Sequence, residues 1–242
     1  MIIKPEILPF GEFAFLLNWS QKIDEQIHKS VVVTNRLIND HFFEFIIETT
    51  PAYNSIALYL KDDIDVRDFV EKLYSLIDKL PEKDVVDNGN IFEIPVCYDL
   101  KFGIDLEELS THHKLSIKAI IAHHTAPIYP VYFIGFLPGF PYLEGLNPIL
   151  STPRKTRPRN VIPAGSVGIA GNQTGVYTID SPGGWNIIGR SPINFFDNNA
   201  EQPSLLKAGD YVKFFSVDKA RFQSIQEQVK ENTYIIKPKK GW

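Results

Sequence analysis

Residues 135–192 read GFLPGFPYLEGLNPILSTPRKTRPRNVIPAGSVGIAGNQTGVYTIDSPGGWNIIGRSP. This stretch holds ten of the chain's fifteen glycines and eight of its seventeen prolines. Its apolar runs are short and fenced by Gly or Pro, the punctuation of strands and tight turns. VYFIGFL at 131–137, VGIAG at 167–171, GVYTID at 175–180, WNIIG at 185–189 and YVKFFSV at 211–217 read as successive strands. Such a series predicts a closed barrel or a sandwich. Residues 218–231 read as a late helix and 234–237 as a last strand.

Upstream the texture changes. Residues 1–98 contain only two glycines, Gly11 and Gly89. EFAFLLN at 12–18 is a short apolar run. Residues 21–38 carry Ile23, Ile27, Val31, Thr34 and Ile38 at three- and four-residue spacing, one apolar helix face. Residues 43–49 and 55–61 are β-rich and separated by Pro51. Residues 65–80 repeat the helical spacing at Val66, Phe69, Val70, Leu73 and Ile77, behind Asp65 as N-cap. Residues 91–98 close the series as a strand. The order βαββαβ is the ferredoxin-like split pattern. Two short helices follow, 105–111 behind a capping Asp and 116–123 behind a capping Ser, the latter burying Ile117, Ile120 and Ile121. The reading is therefore α+β: a ferredoxin-like domain over 1–98, a helical connection over 99–130 and a β domain over 131–242.

Composition narrows the function. The chain has 242 residues, 44% hydrophobic and 22% charged, which fits a folded protein. Twenty-five bases against 29 acids leave a formal charge of -4, a poor balance for general nucleic-acid binding. One cysteine, Cys97, makes neither an internal disulfide nor a thiolate metal cluster. The start, MIIKPEILPFGEF, is not expected to be a signal peptide. No run approaches the ~18 apolar residues of a membrane span. A cytoplasmic protein is expected.

Within 135–192 the charge reverses. Arg154, Lys155, Arg157, Arg159 and Arg190 face only Glu144 and Asp180, a local +3 on an acidic chain. The planar guanidinium suits carboxylate or phosphate; a solvated basic face is the plainer alternative. Gly165, Gly168 and Gly171 recur every third residue, either as a floor for a ligand or as points of close backbone packing. No P-loop and no dinucleotide fingerprint occurs. His112, His113, His123 and His124 form two doublets without thiol or carboxylate help, so no metal site is expected. Ser166 and Ser181 lack a GxSxG elbow.

The motifs together resemble the family of the 5-oxoprolinase B subunit, also called the KipI or allophanate-hydrolase-subunit-1 family. They are GFLPGFPYL at 135–143, PRKTRPR at 153–159, PAGSVGIAGNQTGVY at 163–177 and SPGGWNIIGR at 181–190. IPVCY at 94–98, DLEEL at 105–109, PAYNSI at 51–56, the run from His124 to Phe136 and 196–214 extend the likeness over nearly the whole chain. Asp99 and Leu100 stand where the family has two glycines.

The resemblance implies a ferredoxin-like N-terminal domain and a cyclophilin-like β-barrel. It implies one component of an ATP-dependent 5-oxoprolinase built of subunits A, B and C, which opens 5-oxo-L-proline to L-glutamate while ATP becomes ADP and phosphate. Some members are instead inhibitors of a sporulation histidine kinase, and related paired domains serve carboxyl transfer in urea amidolyases. Carried onto this chain, it implies that Arg154 and Arg159 hold anionic groups, with Arg190 as a second anion contact. It also implies hydrogen bonds from Ser166 and Ser181, Trp185 as a wall, Gln173 orienting a carbonyl or water, and His124 as the acid–base candidate. No nucleotide motif is present, so ATP is expected in a site shared with a partner. The apolar loop 136–146, with Phe136, Phe140 and Tyr142, is the expected docking surface for the C subunit.

Overall fold

The computed structural model describes residues 2–22, 24–80 and 89–240. Ile23 lies outside them. The chain divides into two compact units, residues 1–87 and 88–242.

The first unit runs β1 (Glu6–Pro9), β2 (Ala14–Asn18), α1 (Glu25–Phe42), β3 (Ile46–Pro51), β4 (Ser55–Leu60) and α2 (Val66–Asp78). Asp24 caps α1 through Gln26 N and Ile27 N, and Asp65 caps α2 through Arg67 N and Asp68 N. The predicted spacing is the buried face: Ile27, Val31, Thr34 and Ile38 on α1, Phe69, Leu73 and Ile77 on α2. These pack on Leu17, Ile56 and Leu58, fully buried in β2 and β4. The sheet is antiparallel in order β1-β2-β4-β3.

The observed order of this unit is ββαββα. Its fourth strand is β1 from the N-terminal hairpin. The strand expected to close it, β5 (Asn90–Val96), runs in the sheet of the second unit beside β13. The boundary therefore falls at 87/88, ahead of the predicted 98. Residues 90–96 are apolar enough to be buried in either sheet, so periodicity alone could not assign them.

The second unit continues with α3 (Leu106–His113), α4 (Ile117–Thr125), β6 (Tyr129–Ile134), β7 (Pro141–Leu143), a 3-10 turn (Pro148–Leu150), β8 (Arg159–Ile162), β9 (Ser166–Ala170), β10 (Gln173–Val176), β11 (Ser181–Gly183), β12 (Asn186–Arg190), β13 (Tyr211–Ser216), α5 (Lys219–Lys230) and β14 (Lys239–Lys240). Eight strands form one sheet in order β12-β9-β10-β7-β6-β13-β5-β14, and β8 pairs with β11. Only β5 and β13 are parallel among the described pairs. Cys97, just past β5, exchanges both backbone hydrogen bonds with Arg190 at the end of β12, at 2.8 and 3.0 Å. This bridge ties the β12 edge back to the β5 side of the sheet.

The last strand is β14 at 239–240, and residues 234–237 form none. Asp105 stands at the start of α3 without capping it; its carboxylate is engaged elsewhere. Ser116 does cap α4, accepting from Ala119 N, and of its three predicted core residues only Ile120 is fully buried. No helix among the described residues is long and apolar enough to cross a membrane.

Candidate functional site

Alternation along β7, β10, β9 and β12 gives the larger sheet two different faces. Leu143 opposes Thr174, which opposes Ile169; with Val167, Val176 and Ile188 these side chains belong to the main core. On the other face Tyr142 opposes Gly175, Gly175 opposes Gly168, and Gly168 opposes Ile187. Here a second, aromatic cluster collects Phe140, Tyr177 and Trp185, with Tyr142 against them. Trp185 meets Phe140 edge-on at 5.5 Å and Tyr142 at 6.0 Å.

The paired glycines serve this cluster. A Cβ on Gly175 would lie 2.8 Å from the Pro141 carbonyl and 3.0 Å from the Phe140 ring; one on Gly168 would lie 3.1 Å from Trp185. They let aromatic rings settle onto the sheet, so of the two readings of the glycine spacing the close-packing one describes Gly168. Gly171, at φ +56°, has open space around it in the β9–β10 turn.

Arg154 is exposed, and its guanidinium lies 5.9 Å from the Trp185 ring centroid. Its charge reaches the phenols of Tyr142 and Tyr177, where burial raises both pKa values and Arg154 partly offsets the rise. Among the described residues it makes no ion pair.

Arg159 is committed differently. Its Nη2 donates to Asp105 Oδ1 at 2.6 Å. Asp105, 2% exposed, also accepts from Ile187 N at 2.7 Å and lies 3.2 Å from Lys155 Nζ. Lys155 pairs with Glu108 at 2.5 Å. Burial acts to lower the Lys155 pKa, but the hydrogen bonds to Glu108 and Asp105 outweigh it and hold the ammonium above its ordinary range. Among the described residues, Arg159 Nη1 is buried with no partner, as is Ser181 Oγ on β11. These donors sit on paired strands, since Gly183 opposes Arg159 and Ser181 opposes Ile162.

Arg190 Nε donates to the Ala164 carbonyl at 2.7 Å, and Ser166, 3% exposed, opposes Arg190 across β9 and β12. Both fasten the 163–166 turn, where Gly165 adopts φ +81° against the Ser191 carbonyl. Gln173 Nε2 donates to Glu144 Oε1 on the aromatic face. Glu144 is 8% exposed and without a cation partner among the described residues; burial raises its pKa, the Gln173 bond partly offsetting this. Sequence reading gave this carboxylate no role, although it is one of only two acids in a basic stretch.

His124 lies on the core face. It is fully buried, stacked on Phe214 at 4.8 Å, with Nδ1 2.8 Å from Tyr98 OH and Nε2 2.9 Å from Thr174 Oγ1. Thr174 donates its hydroxyl proton to the Gly168 carbonyl, so it accepts from Nε2–H, and Nδ1 accepts from Tyr98. Burial pushes the imidazole pKa down to about 3. A neutral ring closed off from solvent, with both nitrogens occupied, organises the core, contrary to the acid–base expectation.

The loop expected to dock a partner divides. Phe140 is 1% exposed and central to the aromatic cluster, so it is core and not a docking residue. Phe136 is 62% exposed at φ +67°, its ring edge-on to Phe140.

Residues 5–206 match the family model described as carboxyltransferase domain, subdomain C and D. The B subunit of 5-oxoprolinase from Bacillus subtilis is 37% identical over 244 residues, covering 94% of this chain and 99% of that protein. That of Haemophilus influenzae is 45% identical over 169 residues, covering 70% of this chain and 78% of that protein. Among solved structures, TTHA0988 superposes with a TM-score of 0.76 at 35% identity, over 85% of this chain and 40% of the longer TTHA0988 chain. With this extent of identity on top of the motifs and the fold, the chain belongs to the family of the 5-oxoprolinase B subunit.

Proposed function

We propose that this chain is the B subunit of an ATP-dependent 5-oxoprolinase. With the A and C subunits it hydrolyses 5-oxo-L-proline to L-glutamate as ATP becomes ADP and phosphate, in the cytoplasm. The observation that carries this reading is the 37% identity to the B. subtilis protein over 99% of its length. The matching fold assignment is a ferredoxin-like first unit, its fourth strand supplied by the N-terminal hairpin, and a cyclophilin-like barrel closed through Cys97 and Arg190.

A lactam resists water because its amide is resonance-stabilised. Activating it requires that a carboxylate and a phosphate be held together while cations and N–H donors stabilise developing charge. Arg154 supplies an exposed guanidinium braced by Trp185. Arg159 Nη1 and Ser181 Oγ are buried donors whose desolvation an anion would offset. Gln173, anchored by Glu144, orients a carbonyl or a water. Ser166 and Arg190 shape the adjoining turn, and His124 acts through the core that carries β10. Half of the site comes from a partner, so the chain alone is inactive.

The test mixes the chain with candidate A and C subunits and couples glutamate release to ADP formation. Glutamate and ADP in equal amounts from the full set, and none from this chain alone, is the expected result. Absence of glutamate from the full set overturns the assignment, and release by the chain alone overturns the shared site. A complex that forms without hydrolysis points instead to a binding module acting on a histidine kinase. The carboxyltransferase match supports a second reading, one half of a carboxyl-transfer site, tested by carboxyl loss from carboxybiotin.

A further inference from the structure

We infer that Asp105 is a positioning residue that fixes loop 153–159 and thereby holds Arg154 over Trp185. The inference rests on Arg154 being the anion contact proposed above. The loop is stitched to residues 184–187 on both sides of Arg154. Lys155 N donates to the Gly184 carbonyl at 2.7 Å, and Asn186 Nδ2 donates to the Pro153 carbonyl at 2.9 Å. Asp105 completes the seam from below: one oxygen holds Ile187 N at 2.7 Å, the other Arg159 at 2.6 Å and Lys155 at 3.2 Å. One buried carboxylate thus joins α3, β12 and the loop at two of its basic residues. Together with Glu108 it offsets those two charges, which leaves Arg154 and Arg157 as the cations of PRKTRPR without an ion pair among the described residues. A carboxylate 2% exposed is not needed at a solvated basic face; its placement makes sense if the loop must be rigid.

Asp105→Asn is the discriminating variant. Its carbonyl retains the Ile187 N–H, while its amide presents donors to Arg159 and Lys155. The full chain is labelled with 5-fluorotryptophan, and the Trp185 resonance is assigned with Trp185→Phe. Asp105→Asn is expected to move that resonance as Arg154→Ala does, leave the Trp19 resonance in place, and speed tryptic cleavage after Arg154 and Lys155 about 10-fold, the equivalent of one lost charge-assisted contact. In the reconstituted complex KM for the anionic substrate rises about 10-fold with kcat nearly unchanged. A wild-type Trp185 resonance with wild-type cleavage overturns the inference, as does a fall in kcat with KM unchanged. If Asp105→Asn fails to fold, Asp105→Asn with Arg159→Met removes the charge pair together and is read by the Trp185 resonance and proteolysis alone. A wild-type complex without lactam hydrolysis would sink the proposed function, while resonance and proteolysis still decide the role of Asp105.

Discussion

The two units of this chain solve folding with different materials. Residues 1–87 carry 9 bases against 16 acids, residues 88–242 carry 16 against 13, so the formal charges are -7 and +3. The first unit buries amphipathic helices on a plain antiparallel sheet, with Ser30, Thr34 and His28 as its buried polar residues among the described ones. The second buries Asp105, Glu144, His124, Thr174 and Asn186, each hydrogen-bonded, and uses glycines to admit aromatic rings. Apolar patterning is enough to build a scaffold. A site demands paired polar groups and close approach, and all eight residues read as functional lie in the second unit.

The contrast breaks first at Phe140. Phe140→Asp puts a charge where the ring is 1% exposed, and the lost packing alone costs about 3–5 kcal/mol. Phe43→Asp in the first unit, at a ring 67% exposed, is expected within about 0.5 kcal/mol of wild type. Urea denaturation of both variants checks this; equal stability would remove the distinction between core and surface aromatics.

Arg159 and Arg154 come next. Arg159→Ala leaves the buried Asp105 with Lys155 as its one cation, for an expected loss of about 3 kcal/mol of stability. Arg154→Ala, exposed, leaves stability within about 0.5 kcal/mol but raises KM of the reconstituted complex for the anionic substrate by about 10-fold or more. Thermal melts and initial rates separate them, and the reverse pattern would mean that Arg159 is the free cation.

Both units contain a buried histidine, which gives a pH test. Burial pushes His28 down to about 4 and His124 to about 3. The unfolded chain protonates its histidines near the ordinary value of about 6.5. Each therefore contributes stability present above that value and lost as pH falls toward its folded pKa, at about 1.4 kcal/mol per pH unit. His124→Gln and His28→Gln should each flatten the loss between pH 6.5 and 4.5, measured by denaturant midpoints. Profiles unchanged by both substitutions would show that neither ring is held neutral.

The smallest expected effect is at the glycines. Gly175→Ala, with a Cβ 2.8 Å from a carbonyl, should cost about 1–3 kcal/mol by overpacking. Gly171→Ala meets nothing within 4 Å and should cost about 1–2 kcal/mol, from its left-handed φ alone. If Gly171→Ala proves the costlier, the glycines serve turn geometry more than aromatic packing.

Local patterning was enough to locate α1, α2, α4 and α5, because helical faces and capping Asp or Ser residues are properties of consecutive residues. The short strands of 131–217 were legible from their Gly and Pro fences, and the family was legible in motifs that cover nearly the whole chain. Partnering over long separations was not legible. An apolar strand carries no label for its sheet, so β5 read as the end of one unit and lies in the other. The same limit applied to charge. Arg154 and Arg159 look equivalent in PRKTRPR, and only the fold brings Asp105, 54 residues away, onto one of them and Trp185 under the other. His124 looked like an acid–base group until tertiary packing enclosed it between Tyr98, Thr174 and Phe214. Sequence sets which groups are available, whereas burial and pairing, which depend on contacts between distant segments, decide which of them stay free to act.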